Sequence, residues 1–194
     1  MRCVGIVLSL LLATPAFAGD VIWLGIDYSK AKFIGTDDFR DPEEIFPGYL
    51  HKWNGLFVDE QLPALEKAVK GRVTLATSAV DAMNMLGSEK QILRQDFGPS
   101  VLEQSSFTQE ELEAQVHAYF IPEEQGTALV ILMDRLVKSQ AKACMTAVYF
   151  DVHSREVVSQ VRGCHPARGF GFRNYWFGPV KAMLPDIKKA RPKK

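Results

Sequence analysis

Two cysteines in the second half of the chain carry the most definite chemistry. Cys144 and Cys164 lie in strand-like stretches on either side of a turn at 152–155. If residues 153–155 form a three-residue hairpin loop, the two cysteines face each other within disulfide reach. A two-residue loop would instead put them on opposite faces of the sheet. We expect a Cys144–Cys164 disulfide.

The histidines are the candidates for metal binding or general-base catalysis. They are His51, His117, His153 and His165. Their spacing matches no metal-ligand motif such as H-x-x-x-H, so no metal is expected unless the fold gathers them. We expect three surface histidines and one partly buried on a helix at 108–120. A thiol activated by His165 is disfavoured, because neighbouring residues of a strand point to opposite faces.

Acidic residues cluster ahead of the first helix, at Asp37, Asp38, Asp41, Glu43 and Glu44. Several carboxylates together could bind calcium, a hard cation that prefers oxygen ligands. The D-x-D-x-D-G spacing of a calcium loop is absent, and acids are favourable near the positive end of a helix dipole. A solvated loop that leads into a helix therefore explains these acids without an ion.

Residues 169–176, the aromatic loop, have the composition of a binding element. Two glycines permit close backbone approach, and the loop holds four aromatic residues. We expect Phe170 and Phe172 to share one side of an extended segment, with Arg173 reaching outward as an anion or rim contact. Asn174 joins this site in that interpretation; in the alternative, Asn174 caps the closing helix and Arg173 pairs with a carboxylate. The chain has no G-x-S-x-G motif and no P-loop, so no cofactor and no catalytic residue is assigned.

The N-terminus has the three regions of a secretory signal peptide. A charged start at 1–2 precedes an apolar run at 3–13, and residues 16–18 supply the small-x-small pattern of a cleavage site. The apolar run is shorter than the roughly 20 residues of a membrane span. We expect cleavage before Gly19 and a soluble periplasmic protein. Cleavage removes Cys3 and leaves an even pair of cysteines, which favours a disulfide in an exported chain.

Composition places the rest of the chain in one globular domain. The chain has 194 residues, 47% of them hydrophobic, which suits a single core. Lys plus Arg and Asp plus Glu both number 23, so no net charge points to nucleic acid or an anionic membrane. We expect one domain at 19–187 and a basic, flexible tail at 188–194.

Periodicity predicts an α/β or α+β domain with a mixed five-stranded sheet in the order βαβαβββα. The strands are expected at 21–28, 73–77, 128–137, 143–151 and 156–163. Helices are expected from Asp41 to about Lys70, with a new segment opening at Pro63, at 108–120 and at the end of the domain. In the closing helix Trp176 lies on the apolar face, so we expect it to be buried. Between 84 and 107 the periodicity fades.

The strand–hairpin–helix ending resembles the periplasmic α/β module shared by the curli-secretion lipoprotein family and the TolB N-terminal domain. The resemblance covers the topology of most of the mature chain, and the residues of only the turn at 151–156 and the aromatic loop. The lipoprotein cysteine of the secretion family is missing here, which argues against outer-membrane anchoring and pore formation. The resemblance implies a non-enzymatic envelope module, and it carries over no catalytic residue.

Two functional hypotheses follow from the sequence. The first is a non-catalytic periplasmic binding or envelope-assembly domain with an envelope protein as partner, without nucleic acid and without a transmembrane anchor. The alternative is a small exported hydrolase that uses histidine and carboxylates gathered by the fold. A deep pocket with His51 or His165 beside an acid would favour the enzyme, and a flat surface with exposed aromatic residues would favour the binding domain.

Overall fold

Seven strands form one mixed sheet in the computed structural model, which describes residues 20–35, 39–94, 99–102 and 107–193. The strands are β1 (Val21–Asp27), β2 (Lys32–Ile34), β3 (Val73–Leu75), β4 (Ile92–Leu93), β5 (Thr127–Val137), β6 (Lys142–Asp151) and β7 (Val157–Pro166). The α-helices are α1 (Leu50–Val69), α2 (Ser78–Asn84), α3 (Gln109–Ala118), α4 (Gly171–Ala182) and α5 (Leu184–Ala190). A π-helical segment at Glu44–Tyr49 leads into α1, and short 3-10 turns lie at Glu89–Gln91 and Pro99–Leu102. The predicted signal peptide at 1–18, Gly19, Asp37 and Asp38 lie outside the described residues.

β5 is the central strand, and ten of its eleven residues are buried. Parallel strands pair with it along one edge and antiparallel β6 pairs with it along the other. Both of its faces are covered, as expected for an unbroken apolar run. The predicted buried strand at 128–137 is confirmed.

Two positions in the sheet are each occupied by a pair of short strands placed end to end. β1 pairs with the first part of β5, with Ile22 opposite Ala128, and β2 pairs with its last part, with Phe33 opposite Leu136. β3 lies beside β1, and β4 lies beside β2. The predicted count of five strands is therefore wrong. A bend after β1 separates β2 from it, and β4 has only two residues, which is too few to give a periodic pattern.

Helices cover both faces of the sheet. On one face α1, α4 and α5 pack against Trp23, Leu129 and Tyr149, among others. On the other face α2 and α3 pack against Leu24 and Val130. The expected mixed α/β domain, with helices packed on the sheet, is confirmed at this level.

The β6–β7 hairpin places Cys144 opposite Cys164, as predicted, and the two sulfur atoms form a disulfide. The loop differs from the predicted three residues. The Asp151 N–H donates to the Glu156 carbonyl, so the loop has four residues. A β-bulge beside Phe150 then shifts the register by one residue. The extra loop residue and the bulge shift the strand register by one residue in opposite directions, so the two cysteines still face each other.

α1 is one continuous helix although Pro63 lies inside it. The prediction that Pro63 opens a new segment is wrong. The apolar stripe of α1, which includes Trp53, Phe57 and Leu65, is fully buried against the sheet, and this packing outweighs the local cost of the proline. The helix ends at Lys70, which takes a left-handed φ of 56°.

The closing helix is divided at Met183 into α4 and α5. Trp176 is buried, as expected. Residues 188–190, which were predicted to begin the tail, form the end of α5. There the Ala190 carbonyl accepts a hydrogen bond from Ser159 Oγ at 2.6 Å.

Candidate functional site

The aromatic loop is not an extended segment, because α4 begins at Gly171. Phe170 stands just before the helix and is 96% exposed, whereas Phe172 lies in the first turn and is half-buried. The expectation that these two rings share one side is wrong. The glycines explain the geometry: Gly169 and Gly171 have φ values of +137° and +75°, which turn the chain into the helix within a few residues.

Phe172 belongs to an aromatic cluster that joins α4 to α1. Its ring centroid is 4.8 Å from that of Tyr49, 5.9 Å from that of Trp53 and 6.0 Å from that of Phe39. These separations suit favourable ring contacts. Trp53 Nε1 also donates to the Arg173 carbonyl at 2.8 Å. Phe172 therefore anchors the loop, and part of its ring stays accessible.

Arg173 and Asn174 both face solvent on the first turn of α4. Arg173 Nε donates to Asn174 Oδ1 at 3.2 Å. Asn174 is not the helix cap, since Phe170 occupies the cap position. Three of the four predicted binding residues are thus accessible, and they lie together at the start of one helix.

A groove of about 510 Å³ lies between the start of α1 and the C-terminal half of α2. This apolar groove is lined by Pro47, Gly48, His51, Lys52, Asp81, Ala82, Asn84 and Met85. Most of the atoms that line it are apolar. Met85 and the next residue, Leu86, are 66% and 71% exposed, so two large apolar side chains face water beside the opening. Contiguous exposed apolar patches are a feature of ligand-binding grooves and interaction surfaces.

Three amide side chains fix the walls of the apolar groove to the end of β1. The Ile26 N–H donates to Asn54 Oδ1 at 2.7 Å, and the Tyr28 N–H donates to Asn84 Oδ1 at 2.7 Å. The Ile26 carbonyl accepts from the Nδ2 atoms of both asparagines at 2.9 Å. Gln91 Nε2 donates to the Tyr28 carbonyl at 2.7 Å. These amides supply the hydrogen bonds that β3 cannot make, because β3 ends before this part of β1.

Two histidines lie beside an acid. His51 Nδ1 is 4.0 Å from Asp81 Oδ1, and both residues line the apolar groove. His165 Nε2 is 3.0 Å from Asp186 Oδ2 and is half-buried between β7 and α5. The partly buried histidine is thus His165, and the expectation that it lies on helix 108–120 is wrong, because His117 is exposed there.

The buried carboxylate of Asp27, at the end of β1, accepts hydrogen bonds from three neutral donors. Asp27 accepts from the Ser29 N–H at 2.7 Å, from Gln115 Nε2 at 2.6 Å and from the Tyr119 hydroxyl. Burial, reinforced by the Asp27 carboxylate, raises the pKa of Tyr119 well above its ordinary value. The hydroxyl therefore stays protonated and keeps donating at neutral pH. This cluster holds α3 on the sheet.

A buried ion network lies on β5 and β7. Asp134 accepts from Arg135 Nε at 2.8 Å and from Arg162 at 3.3 Å, and Arg135 also donates to the Val101 carbonyl. Asp134 and Arg135 are almost fully enclosed. This arrangement pairs buried charge and ties the 3-10 turn containing Val101 to the sheet, which is a structural role.

Comparison with family models, with curated proteins and with solved structures found no match for this chain. Within the described ranges, no three His, Cys, Asp or Glu side chains come together as a metal site. The part of the chain that the structure describes also contains no helix with the length and hydropathy of a membrane span.

Proposed function

We propose that this chain is an exported, non-catalytic binding domain and that the apolar groove is its ligand site. The observation that carries the proposal is the groove itself, a rigidly supported apolar recess with exposed Met85 beside it. Its volume of about 510 Å³ falls in the range of roughly 300–1,000 Å³ that is typical of ligand sites.

The position of the groove in the fold supports the same proposal. In open α/β sheets, ligands bind outside the carboxyl ends of the parallel strands. Asn84, which lines the groove, is hydrogen-bonded to backbone groups on either side of Asp27, the last residue of β1. The groove therefore lies where this class of sheet usually presents its ligand.

Export into the periplasm is part of the proposal and rests on the sequence at 1–18 and on the disulfide. The resemblance of the hairpin and helix to envelope modules is the reason for proposing a protein partner in the envelope. An oxidising compartment also suits the Cys144–Cys164 bond.

Gly48 allows a direct test of the groove. A Cβ atom added at Gly48 would meet no atom within 4 Å, and Gly48 lines the groove, so we expect the indole of Gly48→Trp to fill the groove. Gly48→Ala is the matched control, because it makes the same backbone change without the bulk. The apolar fluorophore 1-N-phenylnaphthylamine is the probe.

We expect the wild type and Gly48→Ala to bind the fluorophore with similar affinity, and Gly48→Trp to bind it about tenfold or more weakly, as loss of a buried aromatic contact implies. Equal binding by all three proteins would show that the groove is not a binding site. Far-ultraviolet circular dichroism establishes that each variant is folded.

A second candidate function is hydrolysis, which the His51–Asp81 pair in the groove favours. A histidine oriented by a carboxylate can activate water as a general base. This hypothesis expects ester or amide hydrolysis by the wild type that His51→Ala abolishes and that Gly48→Ala retains. Hydrolysis that is unchanged in His51→Ala would exclude it.

A further inference from the structure

A smaller recess opens beside the π-helical segment that also borders the apolar groove. This acidic recess has a volume of about 210 Å³ and is lined by Asp41, Glu44, Ile45, Tyr49 and Phe172. Two carboxylates and two aromatic rings thus face one small space. The acids are among those that the sequence pattern attributes to a helix start, and that attribution does not account for the aromatic walls.

The lining suits an organic cation better than a metal ion. Calcium takes six to eight oxygen ligands, and among the residues that the structure describes two carboxylates line this recess. The faces of aromatic rings carry negative charge density that attracts ammonium and guanidinium groups within about 6 Å. The rings of Tyr49 and Phe172 lie 4.8 Å apart at 60° to each other, so they present two differently oriented surfaces.

A lysine of the chain itself already lies over the Tyr49 ring. Lys52 Nζ lies 4.9 Å from the centroid of the Tyr49 ring. An ammonium group is therefore compatible with the electrostatics at this ring. Because Lys52 lines the apolar groove while Tyr49 lines the recess, this contact stands between the two sites.

We propose that the acidic recess binds a lysine or arginine side chain of a partner polypeptide. Its volume lies below the range of roughly 300–1,000 Å³ found for whole small-molecule ligands, and it suits a single side chain. Phe170, fully exposed two residues before Phe172, provides apolar surface next to the recess for the rest of the partner segment. The proposal does not depend on the apolar groove.

Peptide titration followed by nuclear magnetic resonance tests this proposal. The purified exported protein is labelled with ¹⁵N and titrated with the acetylated peptide Ala-Ala-Arg-Ala-Ala. A second peptide has citrulline, an uncharged isostere, in place of arginine. We expect saturable shifts of the amides at 44–46, 48–49 and 171–173, and about tenfold weaker binding of the citrulline peptide, since both the charge and the cation–π contact are lost.

Two variants that each remove one negative charge distinguish binding in the recess from a general electrostatic attraction. Glu44 lines the recess and Glu43 does not, and both are exposed, so neither change to glutamine should disturb the fold. We expect Glu44→Gln to weaken arginine-peptide binding about fivefold or more and Glu43→Gln to change it less than about twofold. Lys52→Met should strengthen binding, because it frees the Tyr49 face and removes a like charge.

Several results would overturn the proposal. Equal affinity for the arginine and citrulline peptides would mean that charge is not recognised. Equal effects of Glu43→Gln and Glu44→Gln would mean that the recess is not the site. Free arginine or tetramethylammonium binding as tightly as the peptide would assign the recess to small amines. Loss of fluorophore binding in Gly48→Trp together with retained peptide binding would instead support the proposal, because the recess would then bind independently of the apolar groove.

Discussion

Asn54 and Asn84 share one acceptor, and this arrangement predicts a measurable energetic coupling. The Ile26 carbonyl accepts from both amides at 2.9 Å. Each asparagine also accepts one backbone hydrogen bond: Asn54 Oδ1 accepts from the Ile26 N–H, and Asn84 Oδ1 accepts from the Tyr28 N–H. All these groups belong to buried residues, where an unpaired polar group is costly.

The size of the coupling follows from counting the buried groups that lose their partners. Asn84→Ala leaves the Tyr28 N–H unpaired, and Asn54→Ala leaves the Ile26 N–H unpaired, at a cost of about 1–3 kcal/mol each. In either single variant the Ile26 carbonyl keeps one donor. The double variant removes both donors, so it should cost about 1–2 kcal/mol more than the sum of the single changes.

Urea unfolding of the four proteins in this cycle measures the coupling. Asn174→Ala is the control, because Asn174 is exposed, and we expect it to change the free energy of unfolding by less than about 0.5 kcal/mol. Costs that add within about 0.5 kcal/mol would refute the shared-acceptor account. The m-values should stay constant, which shows that the comparison is between equivalent two-state transitions.

Three further predictions concern stability. Reduction of the Cys144–Cys164 disulfide opens a loop with a sequence separation of 20 and should lower the free energy of unfolding by about 3 kcal/mol, measured by urea unfolding with and without reductant. Trp176→Ala should cost about 3–5 kcal/mol in the same assay because the indole is buried, whereas exposed Arg173 can be changed to alanine at less than about 0.5 kcal/mol. Burial raises the pKa of three tyrosines above the ordinary value of 10.0: Tyr28, Tyr119 and Tyr149. Since the folded state keeps these protons after the unfolded state loses them, the tyrosines' contribution to stability should be constant below pH 10 and fall above it by up to about 1.4 kcal/mol per pH unit per tyrosine, followed by denaturant titration across pH 8–11.

The main strands and the disulfide were predictable because their signals are local. An unbroken apolar run can be recognised as a buried strand without knowledge of its neighbours, and the burial of β5 agrees. The pairing of Cys144 with Cys164 was predicted correctly, but from a loop length that proved wrong. A bulge compensated for the extra loop residue, and no local pattern specifies a bulge. Pro63 shows the opposite case, in which burial of a long helix overrides a strong local signal.

The apolar groove could not be predicted because its lining has no chemical signature. Gly48 and Ala82 come from segments about thirty residues apart, and only the packing of α1 and α2 on β1 brings them together. One sequence signal does point to the region. Asn54 sits directly after Trp53 in the buried stripe of α1, and a buried amide in such a stripe needs a partner. Here the partner is the end of β1.

Site-specific photo-crosslinking in living cells that produce the protein tests most directly the central claim, that the apolar groove is the binding site. A photoreactive phenylalanine analogue replaces Ala82, an exposed residue of the groove lining. The control places it at Gly55, which is exposed outside the groove lining and where an added Cβ atom meets no atom within 4 Å. We expect a discrete crosslinked product from position 82 that is absent from position 55 and is lost when Gly48→Trp fills the groove. The same products from both positions, or a product at 82 that persists with Gly48→Trp, would contradict the assignment of the groove as the binding site.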